Sequence, residues 1–251
     1  MFDPILIAIA LVFMLAGFVK GVIGMALPTI VIGLLSTSMP TAHAIAIVIV
    51  PAILTNIWQT FAGPYLMDIL KRLWPLLICT CLGVWSGTGF LSGPYAPYGT
   101  ILLGILLVVY SIIALLRARF YLPKGQETWI GVICGYTSGL IAAATGMQSI
   151  PTMPYLQAIG MERDEFIQAL GVFFMTSTTA MLFNLSASGL LTREVAIPST
   201  LGLITSVIGM YLGQMFRQRL PEETFRRVFL ISMILLGGYL AIEKAAQLHL
   251  V

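Results

Sequence analysis

The segment from Ile5 to Leu35 decides how this chain folds, because it is too long for one simple membrane span and is interrupted by Gly17-Phe18-Val19-Lys20-Gly21-Val22-Ile23-Gly24-Met25-Ala26-Leu27-Pro28. A glycine inside a helix costs about 1 kcal/mol relative to alanine, and a proline breaks the hydrogen bonds of the turn before it. The three glycines and the proline therefore predict two helical arms, Ile5 to Val19 and Met25 to Leu35, separated by a break.

A second interrupted segment runs from Trp129 to Ile159, and its centre reads Gly135-Tyr136-Thr137-Ser138-Gly139-Leu140-Ile141-Ala142-Ala143-Ala144-Thr145-Gly146-Met147-Gln148-Ser149-Ile150-Pro151. Both breaks contain Gly-Met followed by a proline. Three apolar stretches follow each segment, and each is about as long as the roughly 20 residues that a membrane span needs. They are Ala42 to Phe61, Leu73 to Leu91 and Thr100 to Leu116, then Phe166 to Ala187, Val195 to Met215 and Arg227 to Ala246.

The order of these segments predicts an all-α polytopic membrane protein made of two repeats. Residues 1–117 form the N-terminal repeat, 118–127 a cytoplasmic linker and 128–251 the C-terminal repeat, so that each repeat is a glycine-broken hairpin plus three transmembrane helices. Composition agrees, because 59% of the residues are hydrophobic and 9% are charged, whereas a soluble domain carries about 25% charged residues.

The basic residues predict the orientation, because cytoplasmic loops of membrane proteins are enriched in Lys and Arg. One set of loops carries ten of them, against Arg193 and Lys244 on the other side. The ten are Lys71, Arg72, Arg117, Arg119, Lys124, Arg163, Arg217, Arg219, Arg226 and Arg227. With these loops inside, each broken hairpin begins and ends on one side of the membrane. The two repeats then have inverted topology, and both termini lie outside.

The tips of the two hairpins are the candidate binding site. At 1.5 Å per residue the arms of the first hairpin reach about 22 and 16 Å, less than the roughly 30 Å of a hydrocarbon core, so the tips are expected near the midplane. Unpaired amides there are the positive ends of half-helices and are suited to an anion. The predicted amides are those of Gly24, Met25 and Ala26, and of Gly146, Met147 and Gln148. A packing kink that binds nothing is the alternative.

Lys20 is the most informative side chain, because an ammonium group in hydrocarbon costs from about 3 to more than 10 kcal/mol. Glu243, near the end of the last segment, is the only Asp or Glu in the apolar segments, so a bound anion or an aqueous cavity is the expected partner. The alternative is a lysine that extends to the membrane surface. At the second tip, Thr145, Gln148 and Ser149 are predicted donors, with Gln148 and Ser149 in the first turn of the returning helix.

Polar residues also gather on the spans that follow the hairpins, and they either contact the substrate or bond one helix to another. Asn56 and Gln59 share one helix face in the first half. Thr178 and Thr179 belong to the polar stretch of the second half, where Thr179 is the counterpart of Asn56. Metal-site spacing, paired acids and a nucleophile with its base are missing from the spans. We therefore expect no metal, no cofactor, no enzymatic activity and no nucleic-acid partner.

The two hairpins, Gly17 to Pro28 and Gly135 to Pro151, each followed by three spans, resemble the sulfite exporter TauE/SafE family of bacterial permeases over essentially the whole chain. The resemblance implies a multi-pass protein of the bacterial inner membrane, here with periplasmic termini, that exports sulfite or sulfonates such as sulfoacetate. We expect alternating access at a midplane site where the two tips and Lys20 bind the anion. A channel-like anion uniporter, a membrane-embedded enzyme and a structural subunit are alternatives, and a homodimer is compatible with the sequence.

Overall fold

The computed structural model describes residues 4–91, 95–116, 121–123, 125–216 and 222–248, and all regular structure in these residues is helical. The helices are α1 (Pro4–Ile23), α2 (Leu27–Leu35), α3 (Thr41–Phe61), α4 (Leu66–Ser86), α5 (Ala96–Leu115), α6 (Glu127–Thr145), α7 (Thr152–Ala158), α8 (Arg163–Ala187), α9 (Ala196–Phe216) and α10 (Glu222–Gln247), with a 3₁₀ turn at Arg193–Val195. Seven of the described helices are long and apolar enough to cross a membrane. The prediction of an all-α multi-pass membrane protein is confirmed.

The six predicted spans coincide with α3, α4, α5, α8, α9 and α10, and the largest difference is at α4. This helix begins at Leu66 rather than Leu73, because Asp68, Lys71 and Arg72 are part of its first turns, where their side chains are exposed. With these charges α4 is not among the seven apolar helices. Five of the basic residues used for orientation, at 117, 119, 124, 217 and 219, lie outside the described residues.

The break in the first hairpin is shorter than predicted. Helix α1 continues through Gly17 and Gly21 to Ile23, and the residues between it and α2 are 24–26. Its 20 residues make it about 30 Å long, so the prediction of a short first arm is wrong. The two glycines serve packing instead, because a Cβ at Gly17 would contact the Ser206 carbonyl oxygen and a Cβ at Gly21 the Met210 carbonyl oxygen of α9.

The second hairpin also consists of one long and one short helix. Its entering helix, α6, has 19 residues and is likewise longer than a half-span, whereas the returning helix α7 has seven. An irregular segment joins them from Gly146 to Pro151. The prediction that Gln148 and Ser149 open the returning helix is therefore wrong. Pro151 explains the difference, because the residue before a proline is driven out of the helical conformation and α7 starts only after it.

Four main helix pairs each join one half of the chain to the other: α1 with α9, α6 with α4, α3 with α8, and α5 with α10. Small residues allow the backbones to approach closely at these contacts. In the α4–α6 pair a Cβ at Gly83 would contact the Tyr136 carbonyl oxygen, and in the α5–α10 pair a Cβ at Gly104 would lie 2.5 Å from the Gly237 carbonyl oxygen. The inverted orientation of the two halves stays a prediction.

The two short helices lie inside the protein rather than against lipid. Seven of the nine residues of α2 are buried, as are five of the seven residues of α7. Their position matters for the site, because irregular backbone at membrane depth is tolerated only where protein or a water-filled cavity surrounds it.

Candidate functional site

The two hairpin tips meet at a small internal cavity of about 20 Å³. A cavity needs about 10–15 Å³ to hold one water molecule, so this space fits a compact group of a few atoms. Nine of the thirteen residues predicted for the site line it. The full lining is Lys20, Gly24, Met25, Ala26, Leu27, Pro28, Thr29, Asn56, Gln59, Gly146, Gln148, Ser149 and Phe174.

Lys20 projects from the last turn of α1 and is 7% exposed. Its ammonium nitrogen Nζ donates hydrogen bonds to Thr55 Oγ1 at 3.0 Å and to Asn56 Oδ1 at 2.9 Å, both on α3. Within the described residues no carboxylate pairs with it. An ammonium group has three N–H donors, so one remains for a ligand. Because both bonds hold the side chain inside the protein, the alternative in which Lys20 reaches the membrane surface does not match its position.

Helix α3 supplies the acceptors that hold Lys20 in place. The hydroxyl of Thr55 donates to the carbonyl oxygen of Pro51 at 2.9 Å, so its oxygen is left to accept from the ammonium group. Asn56 is 2% exposed and accepts through Oδ1, and its amide nitrogen Nδ2 has no partner among the described residues. Because Asn56 lines the cavity, that amide is a second donor available to a ligand. Gln59 donates to the carbonyl oxygen of Ile167 at 2.9 Å and so joins α3 to α8.

The first tip presents the start of α2 to the cavity. Gly24 and Ala26 both have left-handed backbone, with φ of 83° and 81°, a conformation that costs roughly 1–2 kcal/mol in a residue other than glycine. The Gly24 amide was predicted to be free, but it donates to the Lys20 carbonyl oxygen at 2.7 Å. The amides of Leu27 and Thr29, in the first turn of α2, have no acceptor within the described residues. They carry the positive end of this helix.

The second tip contributes side chains more than amides. The Gly146 amide donates to the Ala142 carbonyl oxygen at 2.7 Å, and the Met147 amide donates to Thr145 Oγ1 at 3.1 Å. Two of the three amides predicted to bind an anion are thus engaged within the tip. Thr145 and Met147 are buried and line no part of the cavity. Gln148 does line it.

Thr178 and Thr179 of α8 have different surroundings. Thr178 lies behind the cavity wall, where its hydroxyl contacts both ends of the Gln148 amide at 3.2 and 3.3 Å, so it positions Gln148. Thr179 lines a separate, largely apolar groove of about 830 Å³ between α3, α4 and α8, and the structure does not bring it to the cavity. The sequence prediction missed Phe174, also on α8, because an aromatic residue in an apolar span carries no polar signal.

A larger vestibule of about 460 Å³ adjoins the cavity and shares Lys20, Gly24 and Gln59 with it. Its far end is lined by Asp164 at the start of α8, by Gln214 near the end of α9, and by the connector 63–65 between α3 and α4. Along the chain these positions are close to the basic residues Lys71, Arg72 and Arg163, which were used to predict the orientation. The vestibule therefore opens on the side predicted to be cytoplasmic.

Apolar side chains fill the space at the opposite ends of α3, α4 and α8. Gly146 marks the boundary, because a Cβ there would lie 2.8 Å from Ile45 Cγ1. Five residues of this region belong to one hydrophobic cluster and are each at most 6% exposed: Ile45, Val84, Met181, Leu185 and Val195. Within the described residues, access to Lys20 is thus open on one side and blocked on the other.

A family model described as the sulfite exporter TauE/SafE matches residues 9–240, which include Lys20 and both tips. Comparisons with curated proteins and with solved structures give no significant match. The family consists of membrane transporters of sulfite-like anions and is not a family of enzymes. Because the match covers nearly the whole length, the chain belongs to the sulfite exporter TauE/SafE family.

Proposed function

We propose that this protein exports sulfite or small sulfonates such as sulfoacetate across the bacterial inner membrane, by alternating access at the cavity between the two tips. The observation that carries the proposal is the buried Lys20 ammonium group, which has neutral partners in Thr55 and Asn56 and no acidic partner in the described residues. A buried charge is costly unless it is paired. An oxyanion in the cavity supplies the missing opposite charge.

The donors around the cavity match the needs of an oxyanion. The third N–H of Lys20, the Asn56 amide nitrogen and the two amides at the start of α2 are free to donate. No Asp or Glu is among the described lining residues, so nothing there repels a negative charge. Charge-assisted hydrogen bonds are about twice as strong as neutral ones. Hydrogen bonds donated to an oxyanion by Lys20 and by the first amides of α2 are of this kind.

The position of the vestibule supports export. It leads from the predicted cytoplasmic face to Lys20, while the cluster around Met181 closes the other side. A cytoplasmic anion can therefore reach the site in this conformation. Release on the other side requires the vestibule to close and the apolar cluster to part. In an inverted repeat α1 corresponds to α6 and α9 to α4, so the pair α1–α9 corresponds to the pair α4–α6. Two equivalent pairs support such an exchange between conformations.

The test is a thermal-shift panel on the purified protein, followed by flux measurements in proteoliposomes. A ligand at one hundred times its dissociation constant stabilises the folded state by about 2.7 kcal/mol. We expect sulfite and small sulfonates to raise the unfolding temperature, and acetate of equal ionic strength to leave it unchanged. A panel in which no oxyanion of sulfur stabilises the protein would contradict the proposal.

The flux experiment separates a carrier from the channel-like uniporter. In a carrier that works by alternating access, unlabelled sulfite on the far side accelerates the exchange of labelled sulfite, because the loaded site returns faster. A channel shows no such acceleration. Exchange that is independent of sulfite on the far side would favour the uniporter.

A further inference from the structure

We infer that the vestibule is a second subsite, which binds the uncharged alkyl substituent of a short alkylsulfonate while the sulfonate group occupies the cavity at Lys20. This inference rests on the proposed function and adds the part of the substrate that the small cavity does not contact. It assigns a role to the space between the cavity and the cytoplasmic face.

Volume separates the two spaces. The cavity of about 20 Å³ exceeds the 10–15 Å³ that one water needs by a small margin, so a compact head group has room there and a longer substituent does not. The vestibule of about 460 Å³ lies within the roughly 300–1,000 Å³ of ligand pockets. A substituent on the sulfur therefore has to extend into the vestibule.

The junction between the two spaces is open. Gly24 lines both, and no atom lies within 4 Å of the place where a Cβ would be. Lys20 and Gln59 also line both spaces. A ligand held by the Lys20 ammonium group is consequently at the inner end of the vestibule and has a direct path into it.

The vestibule walls offer apolar surface to an alkyl chain. Trp58 of α3, Ile23 of α1 and Met210 of α9 lie along it. Trp58 contributes a large aromatic side chain to this lining, and such a side chain offers apolar surface to a methylene chain.

Gln168 keeps the wall of the vestibule in place and leaves no free amide there. Its side chain donates to the carbonyl oxygens of Thr60 and Gly63, both at 2.8 Å, and accepts from the Tyr65 amide at 2.9 Å. This polar side chain is fully engaged and needs no bond from a ligand. Asp164 and Gln214 lie at the far end of the vestibule, so the substituent packs against the apolar side chains of Trp58, Ile23 and Met210.

The test compares the dissociation constants of sulfite, methanesulfonate, ethanesulfonate and propanesulfonate for the purified full-length chain by isothermal titration calorimetry. Burial of one methylene group corresponds to a gain of about twofold to fourfold in affinity. We expect affinity to rise by that factor with each added methylene from methanesulfonate to propanesulfonate.

A matched pair of variants locates the effect. Met210→Trp narrows the vestibule, whereas Met215→Trp changes the same helix at a side chain that is 59% exposed and lines neither space. We expect Met210→Trp to abolish the gain along the series and to leave the affinity for sulfite unchanged. Met215→Trp should keep the wild-type series.

The outcomes distinguish the subsite from the proposed function. Saturable sulfite binding with a flat wild-type series overturns the subsite and leaves the proposed function intact, and this comparison does not depend on whether Met210→Trp folds. An equal loss of sulfite and propanesulfonate in Met210→Trp also overturns it. Absence of saturable binding for every one of these anions overturns the proposed function and the subsite together.

Discussion

Replacing Lys20 with methionine tests the proposed anion site most directly. Methionine keeps the length of the side chain and removes its charge. In the structure the change deletes the hydrogen bonds to Thr55 and Asn56 and the third N–H that points to no described partner. The Asn56 carbonyl oxygen loses its donor, which is destabilising, but a buried charge is also removed, which is stabilising. These effects have opposite signs, so we expect a folded protein.

The effect on binding follows from the bond that the anion loses. A hydrogen bond to a charged group contributes about 1.5–3 kcal/mol, and 1.4 kcal/mol corresponds to a factor of ten in affinity. We therefore expect the affinity of Lys20→Met for sulfite to fall by about 10- to 150-fold. The loss reaches the upper part of this range if the Asn56 side chain, which no longer accepts from Lys20, reorients so that its Nδ2 no longer donates to the ligand.

Titration calorimetry in detergent at constant ionic strength measures this loss. Lys71→Met is the matched control, because it makes the same substitution at an exposed position of α4 away from the cavity. Thermal unfolding of both variants checks that they are folded. A dissociation constant for Lys20→Met within twofold of that of the wild type and of Lys71→Met would refute the role of Lys20 in binding.

Three further predictions concern the second tip, the topology and the glycines. Gln148→Leu keeps the bulk of the side chain and removes a donor, and losing the donor of a buried partner costs about 1–3 kcal/mol. Sulfite should therefore bind about 5- to 150-fold more weakly in calorimetry, and equal dissociation constants would move the site away from this tip. A cytoplasm-active reporter should work when fused after Gly125 and fail at the C-terminus, and the reverse pattern would reject the orientation. Gly21→Ala should lower the unfolding temperature more than Gly24→Ala. The new Cβ at position 21 would contact the Met210 carbonyl oxygen, an overpacking cost of about 1–3 kcal/mol, whereas a Cβ at position 24 has free space and only the φ of 83° is unfavourable, at about 1–2 kcal/mol. Equal shifts would contradict the assignment of Gly21 to packing.

Lys20 and Asn56 were predictable residues of the cavity lining, because a lone cation and a carboxamide in apolar spans are costly unless they meet each other or a ligand. The amides were less predictable. Those of Gly24, Gly146 and Met147 have acceptors within their own tips, and such local bonds depend on backbone angles that residue types do not specify. Phe174 was missed because the sequence does not distinguish an aromatic residue that lines a cavity from one that packs in the core.

Local properties of the residues determined the class of the protein. Apolar length, the cost of glycine and proline in helices, and the cost of a charge in hydrocarbon act at each position, so a membrane protein with two broken hairpins and one unusual lysine follows from the sequence alone. Only the tertiary structure decided what each glycine does. Gly21 and Gly24 have the same helix propensity, yet α1 continues through the first and ends before the second. The difference arises because α9, far away in the chain, packs against Gly21, and contacts between distant segments are not encoded in the propensity of either one.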